Sequence, residues 1–221
     1  MGRISKAVLG LAFVATPLCA QRSALREVHE EPRGQFGASF VAAEPLGEFR
    51  RNNDFAAGLS VFGVTSGGAL ALRVEAGWMT YDARYQNYGV STLSQIGTLS
   101  AGPQLTLGSG SFRVYGFATI GGSAFWSTAS YQGCGCYGKD WYLNGHTTMT
   151  TSAGAGVQLA LSTGRTPIML DVAARGQRHD RVEYVPANGL TQNPDGSFTE
   201  RQVKGPVDMR VYQVGVSIGI R

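Results

Sequence analysis

Leu70-Ala71-Leu72-Arg73-Val74-Glu75-Ala76-Gly77-Trp78-Met79-Thr80 is the stretch on which the fold turns. Leu70, Leu72, Val74, Ala76 and Trp78 alternate with Ala71, Arg73, Glu75 and Gly77. Successive side chains of a strand point to opposite faces, so this period of two gives a strand with one apolar face and one small or charged face. A soluble sheet buries its apolar face and turns a polar face to water. Here the other face carries Gly and Ala with a charge of each sign at mid-strand, which suits a narrow interior better than a solvated surface.

The pattern recurs outward in both directions. Met149, Thr151, Ala153, Ala155, Val157, Leu159 and Leu161 oppose Thr150, Ser152, Gly154, Gly156, Gln158 and Ala160. Ile168, Leu170, Val172 and Ala174 oppose Asp171, Ala173 and Arg175. Tyr212, Val214, Val216, Ile218 and Ile220 oppose Gln213, Gly215, Ser217 and Gly219, and Leu99, Ala101, Pro103, Leu105 and Leu107 oppose Thr98, Ser100, Gly102, Gln104 and Thr106. Eight strands are expected, over 34–43, 54–64, 69–82, 94–107, 111–126, 147–161, 167–180 and 207–220. The face of the fifth is ambiguous: Arg113, Tyr115 and Phe117 oppose Val114, Ala118 and Ile120, and both sets have apolar members.

Connections alternate in length. Gly-rich links at 65–68, 108–110 and 162–166 are tight turns, where Gly supplies a positive φ at low cost. The links at 44–53, 83–93, 127–146 and 181–206 are longer. Short turns on one side and long loops on the other are the arrangement of transmembrane barrels of the outer membrane. Within hydrocarbon every backbone polar group must bond inside the protein, and a closed sheet achieves this. The expected fold is therefore all-β, an eight-stranded antiparallel up-and-down transmembrane β-barrel over 34–221.

Composition agrees. The 221 residues include 31 Gly, 43% are hydrophobic and 15% charged, and the mean hydropathy is -0.06. So few charges do not suit disorder, and so much Gly does not suit helices. Arg3 and Lys6, the apolar run Ala7 to Val14, then Pro17 and Ala20 read as a cleaved signal peptide over 1–20. Its apolar run is too short for a membrane helix. Its removal takes Arg3 and Lys6 and leaves 17 Lys+Arg against 15 Asp+Glu. That near balance, with no basic stripe, gives no footprint for nucleic acid. Residues 21–33 are expected as a periplasmic N-terminal segment.

The stretch Gly37-Ala38-Ser39-Phe40-Val41-Ala42-Ala43-Glu44-Pro45-Leu46-Gly47-Glu48-Phe49 resembles the first strand and loop of the outer-membrane-protein β-barrel family, whose members often carry P-x-G-x-F after strand one. Tyr212 to Ile220 resembles the family's closing strand. The resemblance covers most of 34–221 and implies the small barrel of OmpA- and OmpX-like proteins. Arg221 stands where such barrels commonly end in an aromatic residue, and no peptidoglycan-binding domain follows the barrel, so cell-wall anchoring is not implied.

Three constellations carry possible chemistry. Arg73, Glu75, Asp171 and Arg175 form a candidate charge network in the lumen, paired because a lone charge there would be poorly solvated. They serve as a structural plug, or as a gate if the pairs rearrange. Cys134 and Cys136 lie in the third long loop, and export favours disulfides. An intramolecular bridge, an intermolecular bridge and a reduced pair are all compatible with the sequence. A metal site with His146 would lack ligands. His179 and Asp180, with His146 and Ser127 or Ser130, lie near the outer strand ends. Adjacent strand residues point to opposite faces, so His179 and Asp180 do not orient one another for acid–base work; they read as a polar rim. Trp78, Tyr81, Tyr85 and Trp126 fall near outer strand ends and Phe36 and Phe112 near inner ends, as interfacial aromatics would.

The functional expectation is a monomeric, non-enzymatic outer-membrane protein with four long extracellular loops for surface contact or envelope integrity. No catalytic residue, metal or cofactor is assigned. The expected partners are outer-membrane lipid and the barrel insertion machinery. The alternatives are a narrow ion or small-solute channel and a barrel enzyme acting on lipid or peptide.

Overall fold

The computed structural model describes residues 34–220 except 54, 66–68, 87–89, 132–138, 163–165, 186–188 and 195–196. The expected signal peptide (1–20), the 21–33 segment, Cys134, Cys136 and Arg221 lie outside the described residues.

Eight long strands alternate up and down: β1 (Gly34–Leu46), β2 (Ala56–Thr65), β3 (Leu70–Gln86), β4 (Val90–Ser109), β5 (Phe112–Tyr131), β6 (Lys139–Ser162), β7 (Ile168–Tyr184) and β10 (Val203–Ile220). A short helix, α1 (Gly47–Asn52), follows β1. A two-stranded hairpin, β8 (Leu190–Gln192) and β9 (Phe198–Glu200), lies between β7 and β10. Each long strand pairs antiparallel with its neighbours in sequence, and β1 pairs with β10, which closes the ring.

The register sets the barrel's shape. Cross-strand partners lead from Phe36 through Gly63, Val74, Ala101, Ile120, Thr151, Arg178 and Asp208 back to β1 at Leu46, ten residues from the start. With a rise of ~3.3 Å per residue and ~4.8 Å between strands, that stagger tilts the strands by about 40°. Eight strands then enclose an interior that side chains can fill.

Every apolar stripe read from the sequence faces outward. Phe40, Leu59, Leu72, Leu99, Ile120, Leu161, Val214 and Val216 are among the exposed large side chains, with Phe40 75% exposed. In β5 the ambiguity resolves: Val114, Ala118 and Ile120 face out, and Tyr115 and Phe117 are buried in the lumen. The eight steps from Tyr212 to Ile220, tilted by 40°, give a belt about 20 Å tall, close to the apolar band such barrels show.

The strands differ from expectation at one end only. The tight-turn ends fall where the Gly-rich links stand, and Gly108 and Gly110 take φ of 92° and 68° in the β4–β5 turn. At the other end the second and third links are mostly strand, since pairing runs on to Gln86↔Val90 and Tyr131↔Lys139. The first link holds α1, and the fourth holds the β8–β9 hairpin. The physical reason is a reversal of polarity. Beyond the belt the outer wall carries exposed Arg178, Asp180, Lys204 and Arg210, while Val182, Tyr184, Val207 and Met209 point inward. That is the ordering of a water-soluble barrel, so hydrogen-bonded strands continue where the apolar stripe stops. Lys204 donates to Glu183 at 2.8 Å on this wall, and that bond with the ammonium's charge holds the Glu183 carboxyl below its usual range.

Tyr81, expected among the interfacial aromatics, points into the lumen and is 2% exposed. Trp78 stays on the outer wall, where its indole N–H donates to Gln95 Oε1 at 3.0 Å. Phe36 and Phe112 are exposed near the tight-turn end.

Candidate functional site

The lumen is filled in two layers. The first begins with Arg73 and Glu75, which share the inward face of β3. Arg73 donates through Nε at 3.0 Å and Nη2 at 2.8 Å to Glu75 Oε2, and through Nη1 at 3.1 Å to Gln104 Oε1. The second carboxylate oxygen, Oε1, accepts from Arg175 Nη1 on β7 and from Gln213 Nε2 on β10 at 2.8 Å. Gln213 Nε2 also donates to Ser60 Oγ at 3.1 Å. One carboxylate thus ties β3, β7 and β10 together across the barrel, and Gln104 and Ser60 extend the network to β4 and β2.

Aromatic rings complete the layer. The Arg73 guanidinium lies 4.1 Å from the Phe62 ring centroid, 4.6 Å from Phe117 and 5.8 Å from Tyr115. Each such contact attracts a cation to the ring face, by about 2 kcal/mol or more when desolvated. Room for these rings comes from glycines. A side chain at Gly37 would collide with Phe62, and one at Gly156 with Tyr115.

Asp171 is placed differently from the sequence reading. Among the described residues it makes no ion pair. Tyr115 OH donates to its Oδ1 at 2.7 Å, and Gln158 Nε2 to its Oδ2 at 2.8 Å. Of the four charges read from the sequence, three meet in one cluster, and the fourth is held by neutral donors. Sequence reasoning missed Gln104, Gln213, Phe62 and Tyr115. Their signal was inward parity, for Gln104, Gln213 and Phe62 on strands adjacent to β3 or β7 and for Tyr115 on β5, further round the ring.

The second layer is apolar. Val41, Met79, Tyr81, Ile96, Phe125, Val182, Tyr184, Val207, Met209 and Val211 form one buried cluster, on the face expected to be small and polar. Phe49 of α1 is 0% exposed at its centre. Its ring stands edge-on to Tyr81 at 5.4 Å and to Tyr184 at 5.2 Å. The P-x-G-x-F element therefore seats an aromatic plug in the barrel mouth. Gly47, with φ of 59°, turns the chain into α1, and the Asn53 N–H donates to Phe49 O at 3.0 Å to close it.

His179 is buried in the lumen against the apolar layer rather than on a rim, its ring edge-on to Phe125 at 5.1 Å, and Asp180 faces outward and is exposed. His179 Nδ1 meets the Val207 carbonyl at 2.8 Å, so it carries the proton, and Nε2 accepts from Gln177 Nε2 at 3.0 Å. Both ring nitrogens are occupied, and Ser127 Oγ is bonded to Ser94 Oγ at 2.9 Å. Among the described residues no hydrogen bond joins His179 to Ser127, and Asp180 points to the opposite face of the wall from His179. Among the described residues, no three His, Cys, Asp or Glu side chains stand close enough to hold a metal ion.

Ring closure, a stagger of ten and a filled interior decide the architecture. The chain has the fold of a small eight-stranded barrel. No protein-family model and no curated protein matches it. Similar solved structures include Ail, the attachment invasion locus protein of Yersinia pestis, at 9% identity and TM-score 0.49, covering 85% of this chain and 98% of that one. Neisserial surface protein A is 15% identical with TM-score 0.47, covering 85% and 97%. A major outer membrane protein from Thermus thermophilus is 12% identical with TM-score 0.47, covering 83% and 98%.

Proposed function

We propose that this protein is a bacterial outer-membrane barrel with a closed lumen, serving envelope integrity or surface contact through its extended hairpin end. The observation that carries this reading is the reversal of polarity along the barrel axis. Where the outer wall is apolar, the interior holds Arg73, Glu75 and Arg175; where the outer wall is charged, the interior holds the Phe49 cluster. A wall of exposed Leu, Val, Ile and Phe is stable in hydrocarbon and not in water. The barrel is a monomer in this reading and reaches the membrane through the barrel insertion machinery.

The filled lumen favours a structural role over a channel. A solute would have to pass both a bonded charge layer and a packed apolar layer. The occupied nitrogens of His179 likewise favour a non-enzymatic role. The test is planar-bilayer conductance of the heat-modifiable, folded barrel. Silence across the voltage range is expected, and reproducible unitary steps would overturn the closed-lumen reading.

A further inference from the structure

Resting on the membrane reading above, we propose that the outer wall between β6, β7, β10 and β1 binds one phosphate-bearing lipid of the outer leaflet. The wall carries a groove of about 410 Å³ lined by Leu46, Ala153, Ala174, Gly176, Arg178 and Arg210, with Asp208 also on it. That volume lies within the range of small-ligand sites. Its floor is small for a reason of register. Ala153 pairs with Gly176, Gly176 with Arg210, and Arg178 with Asp208, so tiny side chains from two strands meet beneath two arginines.

Height decides what the groove can hold. With the ~3.3 Å rise and the tilt of about 40°, Arg178 and Arg210 stand within a few Å of the level of Trp78, at the upper edge of the belt. Ala153 and Ala174 lie roughly 6–10 Å lower, inside the belt. An acyl chain fits against the floor while its headgroup phosphate meets the guanidiniums. Arginine suits this role, since its planar fork matches phosphate oxygens.

The charges leave a place for the anion. Arg210 is 54% exposed and lies 3.6 Å from Glu44 Oε2, whose other oxygen is 3.4 Å from Arg50. Glu44 therefore divides one charge between two arginines. The Arg178 guanidinium has no partner among the described residues, although Asp208 sits opposite it in register. The surplus of guanidinium at this level supplies the charge complementarity that commits the groove to a phosphorylated headgroup.

The test is native mass spectrometry of the folded barrel released from detergent, with phosphatidic acid as the probe. Diacylglycerol with the same chains and inorganic phosphate are the comparison arms. A lipid adduct is expected that binds at least tenfold more weakly to Arg178→Ala/Arg210→Ala and to Ala174→Phe, the loss of charged hydrogen bonds or of the floor being ample for this. Diacylglycerol should bind at least tenfold more weakly than phosphatidic acid, and Lys204→Ala, placed higher on the wall, should leave the adduct unchanged. Retention by the double variant, equal binding of diacylglycerol, or displacement by millimolar inorganic phosphate would overturn the proposal. Arg178→Gln/Arg210→Gln replaces the Ala pair should that pair lose heat-modifiable mobility. A wild-type barrel that is monomeric without detergent would sink the membrane reading instead, so the two failures are distinct.

Discussion

Replacing Glu75 with Ala should be the most damaging single change in the lumen. The carboxylate accepts two bonds from Arg73, one from Arg175 and one from Gln213, and it is 2% exposed. Removing one partner of a buried ion pair costs about 3–5 kcal/mol, because the surviving charge is stranded. The two arginines are stranded unequally. Arg73 keeps Gln104 and its aromatic neighbours. Arg175 loses its bond through Nη1, and its Nε has no partner among the described residues. The larger share of the loss therefore belongs to Arg175. Adding Arg175→Met to Glu75→Ala should restore about 2 kcal/mol, since an apolar replacement removes the stranded charge. Adding Arg73→Met should restore less, because it also removes the contacts to Phe62 and Phe117. Reversible urea unfolding in lipid vesicles, followed by tryptophan emission and checked by gel mobility, reads all three variants. A cost below about 1 kcal/mol for Glu75→Ala, a value typical of exposed pairs, would refute the reasoning. So would equal rescue by the two methionines.

Three further outcomes follow from the same packing. Phe49→Ala should destabilise the barrel by about 3–5 kcal/mol, the range for an aromatic removed from a packed core, and should leave it non-conducting because the Arg73 layer still seals the lumen; unfolding and bilayer recording check the two halves. Gly156→Val should cost roughly 1–3 kcal/mol by overpacking against Tyr115, whereas Gly63→Val, at a glycine whose added Cβ meets nothing within 4 Å, should be nearly neutral in the same unfolding assay. Val216→Arg, in the middle of the belt, should lower folding stability in vesicles by ~2–4 kcal/mol, measured by the same titration.

The belt was legible because Leu70, Leu72, Val74 and Trp78 keep strict alternation and every tight turn carries Gly. The hairpin end was not, for two reasons. There the outer face turns polar while Met79, Tyr81, Val182 and Val207 occupy the inner face, so period two persists but the meaning of its faces reverses. The stretch 127–130 also has little contrast between faces, and its strand character comes from backbone pairing with β4 and β6. Arg73, Glu75 and Arg175 were readable as inward charges, but their partners were not. The sequence offered Asp171 and Glu75 as equal carboxylates, and only the register across the ring brings Arg175 to Glu75 and leaves Asp171 beside Tyr115 and Gln158. Phe49 was marked by its motif, yet nothing in the motif's composition says that α1 turns its ring inward.

The central claim concerns which solvent the outer wall meets. Spin labels placed singly along 212–220, in a background with Cys134 and Cys136 replaced by Ser, read it directly in vesicles. The account predicts that positions 212, 214, 216, 218 and 220 collide with oxygen and are shielded from a water-soluble nickel reagent, while 213, 215 and 217 are shielded from both. Nickel access at 214 and 216 equal to that of an exposed loop would mean that this wall faces water, contradicting the membrane assignment.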